Sequence, residues 1–124
     1  MKIEVSNGEI IDKLAIIEIK LGKIKGESRR KNLKREYEVL KNAAQRMKFD
    51  FNSSLYKQLL EANKKLWDIE DEIRECERKK DFGPRFIDLA RRIYVINDKR
   101  SEIKRQINME TGSVLVEEKE YEKY

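Results

Sequence analysis

Histidine is absent from this 124-residue chain, and cysteine occurs once, as Cys76. With no imidazole and a single thiol, the usual structural zinc sites, the Cys-His and Ser-His nucleophile systems and an internal disulfide are all excluded. A lone cysteine on an apolar helix face reads as a small core residue, and a reducing, cytosolic setting is the expected compartment. Long apolar runs are missing as well. No N-terminal run has signal-peptide length, and no stretch approaches the roughly 20 apolar residues needed to cross a bilayer, so no membrane association is expected. The five glycines are scattered. None builds a G-x-x-x-x-G-K-[ST] or G-x-G-x-x-G run, which disfavours nucleotide binding of those kinds. No cofactor and no metal are expected.

What the chain does have is charge and helical periodicity. Charged residues make up 43% and apolar residues 39%, a mixture too hydrophobic and too regular for disorder, in a chain the length of one ordinary domain. The 29 basic residues outnumber the 24 acidic ones by five. That surplus draws a protein only weakly toward phosphate or anionic surfaces.

Leu55, Leu59, Ala62, Leu66, Ile69, Ile73 and Cys76 fall at alternating four- and three-residue steps, the spacing of one side of a helix. Three other segments repeat the pattern. The first helix should start at Ser6, which can cap free backbone N–H groups while Glu9 reaches back in a capping box. Met1 to Val5 then forms a short extended lead-in. Its ladder is Ile10, Leu14, Ile17, Leu21 and Ile24, weakened by Gly22 and Gly26. The second helix, from about Ser28 to Lys48, carries Leu33, Tyr37, Leu40, Ala44 and Met47. The third begins at a Ser53 or Ser54 cap and reaches about Lys80. Asp81-Phe82-Gly83-Pro84 is the sharpest punctuation, with the only proline suited to the first turn of the next helix. The fourth helix runs from about Pro84 to Met109 on Leu89, Ile93, Ile96, Ile103 and Ile107, with Arg100 interrupting the stripe. Thr111-Gly112-Ser113 stops it. Val114 to Val116 are β-prone and either pair with the extended N-terminus or fold over the bundle, and Glu117 to Tyr124 are charged enough to fray. The expected fold is all-α, a single domain over residues 1–124, in which two antiparallel helical hairpins form a four-helix bundle with short extended ends.

Ile16 and Ile19 sit nearly opposite the main ladder of the first helix, so both sides of that helix want cover. It is either the central helix or half of a dimer interface. A homodimer is expected if the monomer leaves that side open.

Glu9/Asp12, Asp68/Asp71 and Glu72/Glu75 have the three-residue spacing used by helical metal sites. With 24 acids in 124 residues, chance alone supplies about four or five such pairs, so the pattern adds little. Arg100 is more unusual. A guanidinium in an apolar stripe must snorkel outward, pair with a buried acid or meet an anionic ligand. Tyr94, Asn97 and Asp98 lie within about a turn of it, and Lys104 one turn further on. Asn63, Trp67, Glu70 and Arg74 form a stripe on the third helix that could face them across the hairpin, giving a candidate polar pocket. An ion-pair network that fixes helix register is the preferred explanation. The alternative is an all-α enzyme or binding protein for an anionic small molecule, in which Arg100 and Arg74 meet the anion and Glu70 or Asp98 transfers a proton. Chorismate mutase is the comparison, but its whole spacing of Arg, Lys, Asp and Glu or Gln has no match here, and only the principle of an Arg-lined bundle carries over. Basic clusters at Arg29, Arg30, Lys31, Lys34 and Arg35 and at Arg91, Arg92, Lys99, Arg100, Lys104 and Arg105 could bind nucleic acid. Interleaved acids make a solvated surface the simpler account.

The strings V-S-N-G-E-I-I-D-K-L (Val5 to Leu14), L-W-D-I-E-D-E-I-R-E-C-E-R-K-K-D-F-G (Leu66 to Gly83) and I-N-M-E-T-G-S (Ile107 to Ser113) are more specific than any ladder. They resemble a family of small bacterial and phage proteins classed as a domain of unknown function. The resemblance covers most of the chain and implies shared polar positions at Ser6, Asn7, Asp12, Trp67, Glu70, Arg74 and Asn97, with no catalytic residues attached. It also suggests a role beside surface-polysaccharide synthesis. The preferred functional reading is therefore a non-enzymatic helical interaction or accessory protein.

Overall fold

The computed structural model describes residues 1–120, which form four helices: α1 (Asn7–Lys23), α2 (Glu27–Arg46), α3 (Ser54–Arg78) and α4 (Pro84–Thr111). Residues 121–124, part of the segment expected to fray, lie outside the described residues. The chain is an all-α four-helix bundle of two hairpins, α1–α2 and α3–α4. Sequence punctuation sets the helix ends. Ser6 and Ser53 are the N-caps of α1 and α3, each hydroxyl accepting from the backbone N–H three residues on. Pro84 opens α4, and Gly112 closes it in the left-handed conformation at φ 64°. The α1–α2 turn is held by Arg30, whose Nη1 donates to the carbonyl oxygens of Leu21 and Ile24 and so satisfies the end of α1.

α1 is the central helix and packs on all three others. Its core stripe is wider than the expected ladder: Ile11, Leu14 and Ala15 are fully buried, while Ile10, Leu21 and Ile24 are only half-buried. A helix that touches three neighbours buries more than one side, so no single ladder describes it. The same centrality covers Ile19, which is 6% exposed, and half-covers Ile16. The monomer itself thus shelters the side that would have called for a dimer through those two residues.

The principal core joins Ile11, Leu14, Ala15, Ala44, Leu59, Ile103 and Ile107, with Phe49, Phe51 and Tyr56 stacked edge to face beside it. Tyr56 donates its hydroxyl to Glu18, and burial first, then that bond, raises its pKa far above the ordinary phenol range. A second, smaller cluster, Ile69, Cys76 and Leu89, lies between α3 and α4 alone. There is no strand among the described residues. Val114 to Val116 instead fold back so that Leu115 and Val116 line a shallow hollow with Val5 and Ser6.

α2 and α3 each end with a lysine where glycine is usual. Lys48 and Lys80 have φ of 56° and 55°, and the next residues, Phe49 and Asp81, donate back to the carbonyls of Ala44 and Cys76. A side chain with a Cβ is strained there. Lys48→Gly and Lys80→Gly should each raise stability by about 0.5–1 kcal/mol in urea unfolding, and a loss at either position would contradict the assigned backbone.

Candidate functional site

The polar residues of the V-S-N-G-E-I-I-D segment meet a polar ladder on α4. Asn97, Arg100, Lys104, Asn108 and Thr111 follow one another at three- or four-residue steps and so share one flank of that helix. α1 lies along this flank in the opposite direction, and the contacts follow in register. Asn7 Nδ2 donates to Thr111 Oγ1 at 2.9 Å, the Gly8 N–H to Asn108 Oδ1 at 2.6 Å, and Lys104 Nζ to Glu9 Oε2 at 2.7 Å. The glycine is required for this approach. A Cβ at Gly8 would lie 2.5 Å from the backbone oxygen of Lys104.

Asp12 is the centre of the cluster, its side chain 1% exposed. Oδ1 accepts from Arg100 Nε at 3.0 Å and from Asn63 Nδ2 at 2.9 Å, while Oδ2 accepts from Arg100 Nη2 at 2.5 Å. Lys104 Nζ stands 3.9 Å away. Arg100 Nη1 donates to Asn97 Oδ1 at 3.2 Å, and the hydrogen bonds to Asp12 raise the guanidinium above its already high range. This two-pronged geometry lets a carboxylate and a guanidinium survive out of water, because each gains directed hydrogen bonds as well as opposite charge. Glu117 adds a third acid near Lys104, at 3.7 Å. Lys119 is the main cause, and Lys104 a further one, of the lowered carboxyl range of Glu117.

The N-terminus of α1, a natural anion site in an open helix, is filled from within. The Asn7 N–H donates to Ser113 Oγ, that of Gly8 to Asn108 and that of Glu9 to Ser6 Oγ. Glu9 does not complete the expected capping box, since its carboxylate reaches Lys104 instead. Among the described residues no buried side-chain nitrogen or oxygen lacks a partner, and no group of three acidic or cysteine side chains could hold a metal ion.

The expected pocket residues divide into two groups. Asn63, Trp67, Glu70 and Arg100 line one hollow of about 160 Å³, together with Ile16 and Ile19, and Asn97 is tied to it through Arg100. Arg74 lies outside it, exposed and paired with Glu70 along α3 at 3.4 Å. Tyr94 is 44% exposed and borders a groove elsewhere on α4, and Asp98 is half-buried outside the hollow. Arg100 and Arg74 therefore do not converge on one anion site as the enzyme alternative requires. Asp12, Lys104, Asn108 and Gly8 carry more of the cluster than the pocket residues do. In the sequence, Lys104 and Asn108 continue the polar steps that begin at Asn97 and Arg100, and Asp12 stands among the shared polar positions of the resembled family, signals that become decisive only once α1 and α4 are known to touch.

Fold and cluster together define a small helical-bundle protein whose most elaborate polar feature is an internal ion-pair network joining its first and last helices. No helix among the described residues is long and apolar enough to cross a membrane. The chain belongs to a family of unknown function, DUF6165, whose model matches residues 1–124. No curated protein and no solved structure matches it.

Proposed function

We propose that the chain is a helical interaction protein that self-associates through the free half of its α3–α4 hairpin. One observation carries this reading: α3–α4 outruns the helix that covers it. At 17 residues α1 is about 25 Å long, whereas the 28 residues of α4 make about 42 Å. Beyond Lys23, whose ammonium lies over the Trp67 ring, the trough that α1 fills continues uncovered. Ile73, Phe86 and Ile93 are half-buried there, and Phe82 and Ile87 at the tip are 50% and 54% exposed. Two helices alone are a poor shelter for an apolar seam.

The charges favour a second copy as the cover. Between Asp68 and Glu77 six acids stand against one base, Arg74, and between Arg78 and Arg85 four bases stand against Asp81. Lys79, Lys80 and Arg85 pair with Glu75, Glu77 and Glu72 of their own hairpin, and two hairpin ends laid antiparallel exchange such pairs between copies, the self-complementarity a two-fold interface needs. An accessory role beside cell-surface or phage glycan synthesis is the biological setting that fits the family resemblance. Light scattering at about 100 μM protein should give a dimer. Phe82→Glu should return it to monomer with the helical circular dichroism intact. A strict monomer for the unaltered chain at that concentration would refute the proposal.

A further inference from the structure

A second surface of α3–α4 has different chemistry. Asp88, Arg92, Val95 and Lys99 recur at three- or four-residue steps along a flank of α4 other than the one that meets α1. With Gln58, Ala62 and Lys65 of α3 they line a groove of about 550 Å³, which Arg91 also borders. That is the size of a small-molecule site. Its floor is apolar, made by Ala62 and Ile96, and Val95 stands 47% exposed among the charges.

The charges around the groove are unevenly matched. Lys65 pairs with Glu61 at 3.2 Å. Arg91, Arg92 and Lys99 have no ion-pair partner among the described residues, although the chain forms such pairs freely elsewhere on α3 and α4. Arg92 and Lys99 stand two turns apart on one flank and Arg91 borders the same groove, so their positive fields add there and favour an anion. Glu61 and Asp88 interrupt the basic surface, which counts against a long polyanion laid across it and for a compact one held within it. Arg92 offers the fork geometry that a phosphoryl group suits, Arg91 borders the same groove, and Lys99 adds a point charge two turns along the flank from Arg92.

We infer that this groove binds a phosphorylated small molecule, with the phosphoryl group between Arg91, Arg92 and Lys99 and the organic body over Val95 and Ala62. Nothing in this assignment uses Arg100, which is held by Asp12, and it does not depend on self-association through the hairpin end.

The test is calorimetric titration of the full chain with inorganic pyrophosphate and, separately, with adenosine diphosphate at low salt. Saturable binding of one molecule per chain is expected for both, tighter for the nucleotide because its organic body adds apolar contact. Arg91→Gln combined with Arg92→Gln should weaken both by about tenfold or more. Both side chains are exposed and have no ion-pair partner among the described residues, so an unchanged thermal melt should show that the double variant remains folded. Val95→Ser should weaken the nucleotide and leave pyrophosphate alone. No saturable binding of either probe up to about 10 mM would overturn the assignment, as would binding that the arginine double variant leaves intact.

Discussion

Asp12→Ala is expected to cost about 3–5 kcal/mol of folding stability, a large effect for a single polar side chain. The carboxylate is buried, and it is the acceptor for three hydrogen bonds from two different helices. Its removal strands the Arg100 guanidinium against an apolar stripe and leaves the Asn63 amide without its acceptor. Arg100 has some relief, since its side chain is 25% exposed and still reaches Asn97, which places the expected cost nearer the lower end of that range. The diagnostic is the double-mutant cycle. Arg100→Met alone leaves a buried carboxylate short of its main partner, so it too should be costly. Asp12→Ala with Arg100→Met removes both charges together and should cost less than the sum of the singles by about 2–3 kcal/mol. Urea unfolding of the four proteins supplies every term. Additive losses would mean that Asp12 and Arg100 act independently, contrary to the two-pronged geometry.

The same pair shows how much of this molecule is written locally and how much is not. Helix limits depend on neighbours in sequence, and Ser6, Ser53, Pro84 and Gly112 mark them by cap chemistry that acts within a turn. Arg100 could likewise be recognised as an intruder in an apolar stripe, needing an anion. Which anion it takes depends on the way α1 crosses α4, a property of two segments 88 residues apart. Asp12 was legible as one of many acids and, through the family resemblance, as a shared polar position, but its burial was not. The ladder drawn for α1 failed at Ile11 and Ala15 for the same reason, because a helix surrounded by three others has no single inward face. Tyr94 and Asp98 were grouped with Arg100 by sequence proximity, yet a turn of helix carries neighbours to different flanks, and only Asn97 stays beside it.

A buried ion pair seldom stabilises a fold more than an apolar pair of equal volume would, so the polar ladder of α4 is better understood as a device for register. An apolar stripe on α1 could slide by a turn along α4 and still be buried. Asn7 to Thr111, Gly8 to Asn108, Glu9 to Lys104 and Asp12 to Arg100 can all be satisfied in one alignment only. This alignment also fixes how far α1 reaches along the α3–α4 hairpin, and therefore where the uncovered half begins. The internal network and the free hairpin end are two consequences of one placement.

The tightest point of that placement makes Gly8 and Gly22 respond in opposite ways to the same substitution. Both glycines lie within α1, neither at positive φ. Intrinsic helix propensity alone would have alanine stabilise either position, most fully in the helix interior, where the gain is about 1 kcal/mol. Gly22 has no heavy atom within 4 Å of where a Cβ would go and stands one residue from the end of α1, so Gly22→Ala should realise about half of that gain. At Gly8 the added carbon would meet the Lys104 carbonyl oxygen at 2.5 Å and Asn108 Oδ1 at 3.0 Å. The first of these atoms is backbone inside a helix and cannot swing away. α1 and α4 must separate, which lengthens the bond from the Gly8 N–H to Asn108 and pulls Asp12 from Arg100. Overpacking together with the loss of one buried hydrogen bond should make Gly8→Ala destabilising by about 3 kcal/mol. The two variants would then differ by about 3.5 kcal/mol in the same helix, easily resolved by thermal or urea unfolding. If Gly8→Ala instead stabilised the protein as Gly22→Ala does, α4 would have to yield at no cost, and the register argument would lose its anchor.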